Sequence, residues 1–235
     1  MDGAEHKRAA AEYAAGLVQS GMRLGLGSGS TVRFFFELLA ERLRAGELRD
    51  VVGVPTSRET ERLARALGIP LSTLAACPEL DLAVDGADEV DPALRLIKGL
   101  GGAALREKIV ASAARRFVVV VDESKLVERL GTRAPLPLEV EPFGEAVQHR
   151  FLEALGGVPV LRRGGDGAPF VTDGGHHVID CRFPDGIPDP ERLERTLALR
   201  PGILESGLFL GVASRVVVAG AAGVRTLERD AEEAA

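Results

Sequence analysis

Residues 117–121 read FVVVV, an unbroken apolar run set between segments of helical periodicity. A strand with two apolar faces needs cover on both, the situation of a parallel strand flanked by helices rather than of an antiparallel sheet facing water. The same alternation runs through the first half of the chain. Strands are expected near 22–26, 51–54, 69–73, 80–85 and 117–121, with helices near 30–44, 57–67 and 103–115, after an Ala-rich helix over 5–20 that Gly21 ends. This predicts an α/β fold, a Rossmann-like, mostly parallel sheet with helices on both faces.

The texture changes near Thr132. APLPLEVEP carries prolines that suit an opening strand, and FGEAVQHRFLEALGG reads as an amphipathic helix ending at Gly156. Strands near 158–162, 169–172 and 176–182, a helix near 189–199 and a strand near 203–209 follow. That β-α-β-β-α-β order predicts a small α+β, ferredoxin-like (split βαβ) inserted domain over 132–208. SRVVVAG, residues 214–220, then returns as a buried strand, so 1–131 and 209–235 form the Rossmann-like domain. The acidic tail from Glu228 reads as frayed. The 235 residues can bury a core for either arrangement.

In an open α/β sheet ligands bind beyond the carboxyl ends of the strands, and three motifs fall there. GLGSGST, Gly25 to Thr31, follows the apolar MRL and opens a helix, whose first N–H groups lack partners and favour phosphate. It lacks the lysine of a triphosphate loop, and Ser30 stands where a dinucleotide fingerprint needs glycine. The next strand ends in Pro55-Thr56-Ser57 rather than in an acid for a ribose diol. Taken alone, GLGSGST reads either as a phosphate cradle without a nucleotide grip or as a plain glycine turn.

The second motif is DGADEVD, residues 85–91, with Asp85 and Asp88 on a glycine-containing turn; the third is KGLGGAALREK, residues 98–108, with Lys98 at its mouth and Glu107 early in the helix. Asp-Gly turns are common loop structure, and Glu107 alone reads as an ordinary helix residue. Together, the four acids of DGADEVD, a lysine and a glycine loop make a sensible site for moving protons on a polyol.

Composition narrows the classes. The net charge of −6, the absence of any basic block, a single Tyr and no Trp exclude a nucleic-acid platform. No leader pattern opens the chain and no apolar run nears the roughly 20 residues of a membrane span, so a soluble cytoplasmic protein is expected. Cys77 and Cys181 match no metal or disulfide spacing and read as buried small side chains. His176 and His177, neighbours on an expected strand, point to opposite faces and make no metal site with Cys181. Acid-base work therefore falls to carboxylates. Only four of 29 basic residues are lysine, namely Lys7, Lys98, Lys108 and Lys125. A compact ammonium reaches a single oxygen in a tight pocket where a planar guanidinium does not.

These motifs, in this order and spacing, resemble those of the type A ribose-5-phosphate isomerase family. VDESK at 121–125, PLPLEV at 135–140 and VTDGG at 171–175 extend the similarity from about residue 5 to about residue 228. The resemblance implies that Ser28, Gly29, Ser30 and Thr31 form the phosphate-side loop. It implies substrate contacts by Asp85, Gly86, Ala87 and Asp88, by Lys98, Gly99, Leu100 and Gly101, and by Lys125, with Glu107 as the catalytic base. Lys7 is a candidate phosphate contact. The chain departs from the family's commoner pattern at DGGHH, residues 173–177, where an Asn-Gly-Asn turn is frequent, and at Arg200, where an apolar residue is usual.

The implied reaction is an aldose-ketose isomerisation between ribose 5-phosphate and ribulose 5-phosphate, through an enediolate, in the non-oxidative pentose phosphate pathway. Glu107 would shuttle the carbon-bound proton, Lys98 would stabilise the oxyanion, and Asp85 or Asp88 would move the hydroxyl proton, with no metal or other cofactor. Rival readings are an amino-sugar phosphate deaminase or CoA transferase on a related scaffold, and a sugar-phosphate sensor domain. The first lacks a placeable histidine, the second CoA-binding features, and the third a DNA-binding segment. The expected partners are a pentose 5-phosphate and further copies of the chain, as a homodimer or homotetramer joined through residues 132–208, where Val158, Val160, Ile179 and Phe183 ask for cover.

Overall fold

The structure, a computed structural model, describes residues 3–228, so the acidic tail from residue 229 on lies outside the described residues. In chain order, α1 (Gly3–Gly16) precedes β1 (Arg23–Leu26), α2 (Ser30–Arg44), β2 (Val52–Pro55) and α3 (Arg58–Ala66). β3 (Leu82–Asp85) leads to a short hairpin of β4 (Glu89–Val90) and β5 (Leu96–Ile97), then α4 (Ala104–Ser112) and β6 (Phe117–Asp122). Next come β7 (Leu136–Val140), α5 (Glu145–Ala154), β8 (Val158–Leu161), β9 (His177–Arg182), α6 (Pro190–Ala198) and β10 (Ile203–Ser206). The chain closes with β11 (Leu208–Phe209), β12 (Arg215–Gly220) and β13 (Gly223–Glu228). Among the described residues no helix is long and apolar enough to cross a membrane.

The chain divides into two compact units, one of residues up to 87, 106–125 and from 211 on, the other of 88–105 and 126–210. The first holds a six-stranded sheet in the order β13-β12-β6-β3-β1-β2, parallel except for the β12–β13 hairpin. Every residue of β6 is buried, as its continuous apolar sequence requires. Phe35, Phe36 and Leu39 of α2 pack with Val118 and Val120, and the alanines of α1, Ala10, Ala11 and Ala14, are fully buried in the same core. Their small side chains let a helix of low apolarity lie close to its neighbours.

The second unit carries a four-stranded antiparallel sheet in the order β10-β7-β9-β8, reached through β7-α5-β8-β9-α6-β10. This is the split βαβ arrangement, and its core is Leu136, Leu138, Val140, Leu152, Ile179, Cys181 and Leu197. Burial pushes the Cys181 thiol up to about 12, which makes it an inert apolar group. Cys77, expected to be buried as well, is only half-buried, with Ser72 Oγ 3.3 Å from its sulfur. Of the four apolar positions expected to need cover, Ile179 and Phe183 lie in the unit's own core, while Val158 and Val160 are more than half exposed. A separate three-stranded sheet, β11-β5-β4, completes the unit.

Several elements differ from the sequence expectation. No strand forms over 69–73 or 169–172; isolated bridges alone join Leu71 to Gly53, Pro169 to Arg163 and Val171 to His177. Pro70 and Pro169 each remove a ladder donor from those segments. The run 203–209 breaks at Gly207, whose N–H donates to Pro137 O at 2.7 Å and whose C=O accepts the Lys98 N–H at 2.9 Å, so β10 and β11 join different sheets. The hairpin β4–β5 and the edge strand β13 were not legible, the former because each of its strands has two residues.

Glu89 holds the start of that hairpin. Its side chain is fully buried, with Oε2 accepting the Gly131 N–H at 2.6 Å and Oε1 accepting those of Arg133 and Ala134 at 2.6 Å each. Three main-chain donors satisfy a charge that burial alone would expel. Glu89→Ala leaves those donors orphaned and is expected to cost about 3 kcal/mol, lowering the melting temperature by roughly 6 to 12 °C in a thermal melt followed by circular dichroism.

Candidate active site

In the first unit, β1 ends at Leu26 and α2 starts at Ser30 with Gly29 as its N-cap, at φ 106°. No side chain caps α2 and no acidic residue stands in its first turn, so the positive end of a 15-residue helix is presented to the loop 27–31. Lys7 Nζ donates to Ser30 Oγ at 2.9 Å. Lys125 lies in the 3-10 turn that follows β6. Asp122 ends that strand; burial opposes its charge, but hydrogen bonds from the Ser124 hydroxyl and N–H, with the ammoniums of Lys125 and Lys7, outweigh it and hold its carboxyl below the ordinary range. Its stabilising contribution is therefore present above the usual carboxylate range and lost as pH falls through the lowered value. Two of the four lysines thus act on the same acid beside the glycine loop.

Asp85 ends β3 and is 2% exposed. Its Oδ1 accepts the N–H of Ser28 at 2.9 Å and of Gly86 at 2.7 Å. A Cβ on Gly27 would fall 2.2 Å from Asp85 Cγ, so glycine there is what lets the carboxylate reach the loop. Glu107 stands in the first turn of α4 and is 5% exposed. Ser28 to Thr31, Asp85 to Ala87, Glu107 and Lys125 all belong to this unit.

The second unit carries Asp88 and the loop Lys98 to Gly101. Hairpin β4–β5 sets them at its two ends: Asp88 N–H donates to Ile97 O at 2.8 Å, and Lys98, 3% exposed, follows β5 with its ammonium 5.4 Å from the centre of the Phe209 ring. Asp88 Oδ2 accepts the Leu100 N–H at 3.1 Å. The four acids of DGADEVD, read together as a proton-moving cluster, separate in the structure. Glu89 holds the 131–134 turn, and Asp91 accepts the N–H groups of Ala93 and Arg95 and pairs with the Arg95 guanidinium at 2.6 Å. Asp85 and Asp88 remain as candidates for chemistry.

Residues 52–223 match the family described as ribose 5-phosphate isomerase A (phosphoriboisomerase A). A ribose-5-phosphate isomerase A of Roseiflexus castenholzii is 58% identical over 228 residues, which cover 97% of each chain. The chain belongs to the ribose 5-phosphate isomerase A family. Among solved structures, a D-ribose-5-phosphate isomerase in complex with phospho-erythronic acid is similar with a TM-score of 0.95 at 43% identity, covering 97% of this chain and 100% of that one. A ribose 5-phosphate isomerase A of Methanocaldococcus jannaschii gives 0.92 at 42%, with coverage of 97% and 100%.

Where this member departs from the family's commoner sequence, the second unit supplies partners. His176 Nδ1 lies 2.8 Å from Glu139 Oε1 and His177 Nδ1 lies 2.7 Å from Glu145 Oε2, so the adjacent histidines face different carboxylates. Arg200 donates to Gln148 Oε1 at 3.0 Å and stacks over Phe151. Among the described residues no group of three His, Cys, Asp or Glu is placed to hold a metal ion.

Sequence reasoning missed the buttress of the second glycine loop. Arg162 Nη1 donates to Leu100 O at 2.8 Å and Gly99 O at 3.3 Å, while Nε and Nη2 grip the two oxygens of Asp180. Its guanidinium stacks over Phe170, whose ring stands 2.4 Å from where a Cβ on Gly102 would be. Nothing in the LRRGG pattern separates Arg162 from Arg163; only the fold does. Arg162→Met should lower isomerase kcat/KM by about 10- to 100-fold and stability by about 2 kcal/mol, and Arg162→Lys, lacking the planar fork, should restore less than half of the lost activation free energy in steady-state assays.

Proposed function

We propose that this chain interconverts D-ribose 5-phosphate and D-ribulose 5-phosphate in the non-oxidative pentose phosphate pathway. The observation that carries the reading is Glu107, a buried carboxylate in the first turn of α4, directly downstream of the buried Lys98 and its glycine loop, in a chain of this family. A carboxylate sheltered from water makes an effective carbon base. In the forward direction Glu107 takes the proton from C2 of the open-chain aldose and returns it to C1. The enediolate oxygen that forms between these steps is stabilised by the Lys98 ammonium and N–H groups of the glycines of its loop, Gly99 and Gly101, while Leu100 lines the sugar. Asp85 or Asp88 moves the hydroxyl proton and assists ring opening. Gly29 to Thr31 and Lys125 bind the phosphate end, with Gly86 and Ala87 lining the sugar, and the α2 N-terminus beside Lys7 supports that assignment.

The test is NMR of the purified protein with ribose 5-phosphate in D2O, which should show ribulose 5-phosphate appearing with deuterium at its C1 and, through the reverse reaction, deuterium at C2 of the ribose 5-phosphate pool. Glu107→Gln should lose about 10²- to 10⁴-fold in turnover with folding unchanged. A variant that keeps more than a tenth of wild-type turnover (~10%) would remove Glu107 from the role of base.

We also propose that the chain assembles as a homodimer or homotetramer through the second unit. Val158, Val160 and Val171 are each more than half exposed there, and Phe143 and Leu199 are 99% and 83% exposed, apolar side chains that cover by another copy would shield from water. Light scattering at micromolar concentration should return at least twice the chain mass of 24.8 kDa. A mass equal to one chain would reject the assembly.

A further inference from the structure

Four hydroxyls meet where β1 and β2 end. Ser28 Oγ lies 2.8 Å from Thr56 Oγ1, 3.2 Å from Thr60 Oγ1 and 3.3 Å from Ser57 Oγ. Thr56 and Thr60 are 1% and 4% exposed, so their protons have to be placed within the protein. Each hydroxyl has one proton to give. Thr56 donates to Leu26 O at 3.0 Å and Thr60 to Gly27 O at 2.9 Å, the two carbonyls on either side of the strand's exit. Ser57 donates to Thr60 Oγ1 at 3.0 Å and, as the N-cap of α3, accepts the Thr60 N–H at 3.0 Å. With those protons committed, the Ser28 proton stays inside the cluster, on Thr56 or on Ser57. None is left for a phosphate oxygen, which only accepts. The Ser28 N–H is engaged too, on Asp85 Oδ1 at 2.9 Å.

From this we infer that Thr60, with Thr56, is a positioning residue of the isomerase: the pair fixes the turn 26–28 so that the Ser28 N–H aims the Asp85 carboxylate, and the Ser28 hydroxyl belongs to this scaffold rather than to the phosphate grip. The inference deepens the proposed function and rests on Asp85 taking part in it. The physical reason is a short chain of rigid links. Thr60 sits in the first turn of α3, its hydroxyl holds the carbonyl of Gly27, and Gly27 is the residue against which Asp85 packs. Loss of one buried hydroxyl frees that carbonyl and loosens the turn, and the carboxylate it aims has to be held within a fraction of an ångström to transfer a proton well. Phosphate binding is left to the backbone of 29–31, the Ser30 and Thr31 side chains and the lysines beside them, none of which needs the cluster's protons.

The test compares wild type, Thr60→Val, Thr60→Ser and Ser28→Ala in initial-rate kinetics with ribose 5-phosphate, with inorganic phosphate as competitive inhibitor and a thermal melt of each variant. Thr60→Val, equal in shape without the hydroxyl, should lower kcat by about 10- to 100-fold while the phosphate inhibition constant stays within about threefold. Thr60→Ser should return kcat to within about threefold of wild type, a rescue that lost packing alone would not allow. Ser28→Ala, which keeps the N–H to Asp85 and survives as a test if Thr60→Val does not fold, should also leave the phosphate constant within about threefold. Wild-type kcat in a folded Thr60→Val, no rescue by serine, or a phosphate constant raised about tenfold in Ser28→Ala would each overturn the inference. A wild-type protein that does not isomerise ribose 5-phosphate would instead sink the functional reading, and the inference with it.

Discussion

Buried carboxylates held by main-chain N–H groups organise both units of this protein. Taking a carboxylate out of water costs several kcal/mol unless donors replace the lost hydration, and a charged acceptor draws about twice the strength of a neutral one from each N–H. Asp85, Glu89 and Asp91 are all 2% exposed or less, and each accepts two or three backbone N–H groups. Asp91 closes its own turn, whereas Asp85 and Glu89 take donors from distant turns and so pin a loop to a strand end. The loop after β1 is tied to β3 through Asp85, and the 131–134 turn to β4 through Glu89. Within DGADEVD, Asp85, Glu89 and Asp91 thus hold backbone turns in place.

The two kinds of cation divide along the same lines. Arginine, with a planar fork of donors, makes fixed joints: Arg95 on Asp91, Arg162 on Asp180 and on two loop carbonyls. Lysine carries a single movable ammonium on a flexible stem. Lys98 is nearly inaccessible to water, and Lys7 and Lys125 both lower the carboxyl range of Asp122 beside the first glycine loop. The glycine loops follow a similar division. In the first, glycine makes room for Asp85, and in the second it makes room for Phe170.

Much of the fold was legible because its signals are local. A strand such as FVVVV must be covered on both faces, and β6 is central in a parallel run of the larger sheet; the β-α-β-β-α-β order of the second unit likewise followed from periodicity and punctuation alone. The failures are local too. Pro70 and Pro169 interrupt segments with strand-like composition, two-residue strands carry no period to detect, and the split of 203–209 at Gly207 depends on partners more than 60 residues away in sequence, Pro137 and Lys98.

The amino-acid sequence by itself determined the fold class, the glycine loops and the few residue types fit for proton transfer, since each rests on side-chain chemistry and short-range spacing. Only the tertiary structure decided which acids are structural. Asp85 and Glu89 are four positions apart with the same charge, yet one faces the first glycine loop and the other is sealed under the 131–134 turn, because strand register and the donors that arrive from elsewhere fix each environment. The same holds for Thr56, Thr60 and Arg162, ordinary residues in sequence that become joints once β1, β2 and the glycine loops are brought to them. A hydrogen bond depends on distance and angle, and these exist only in the folded chain.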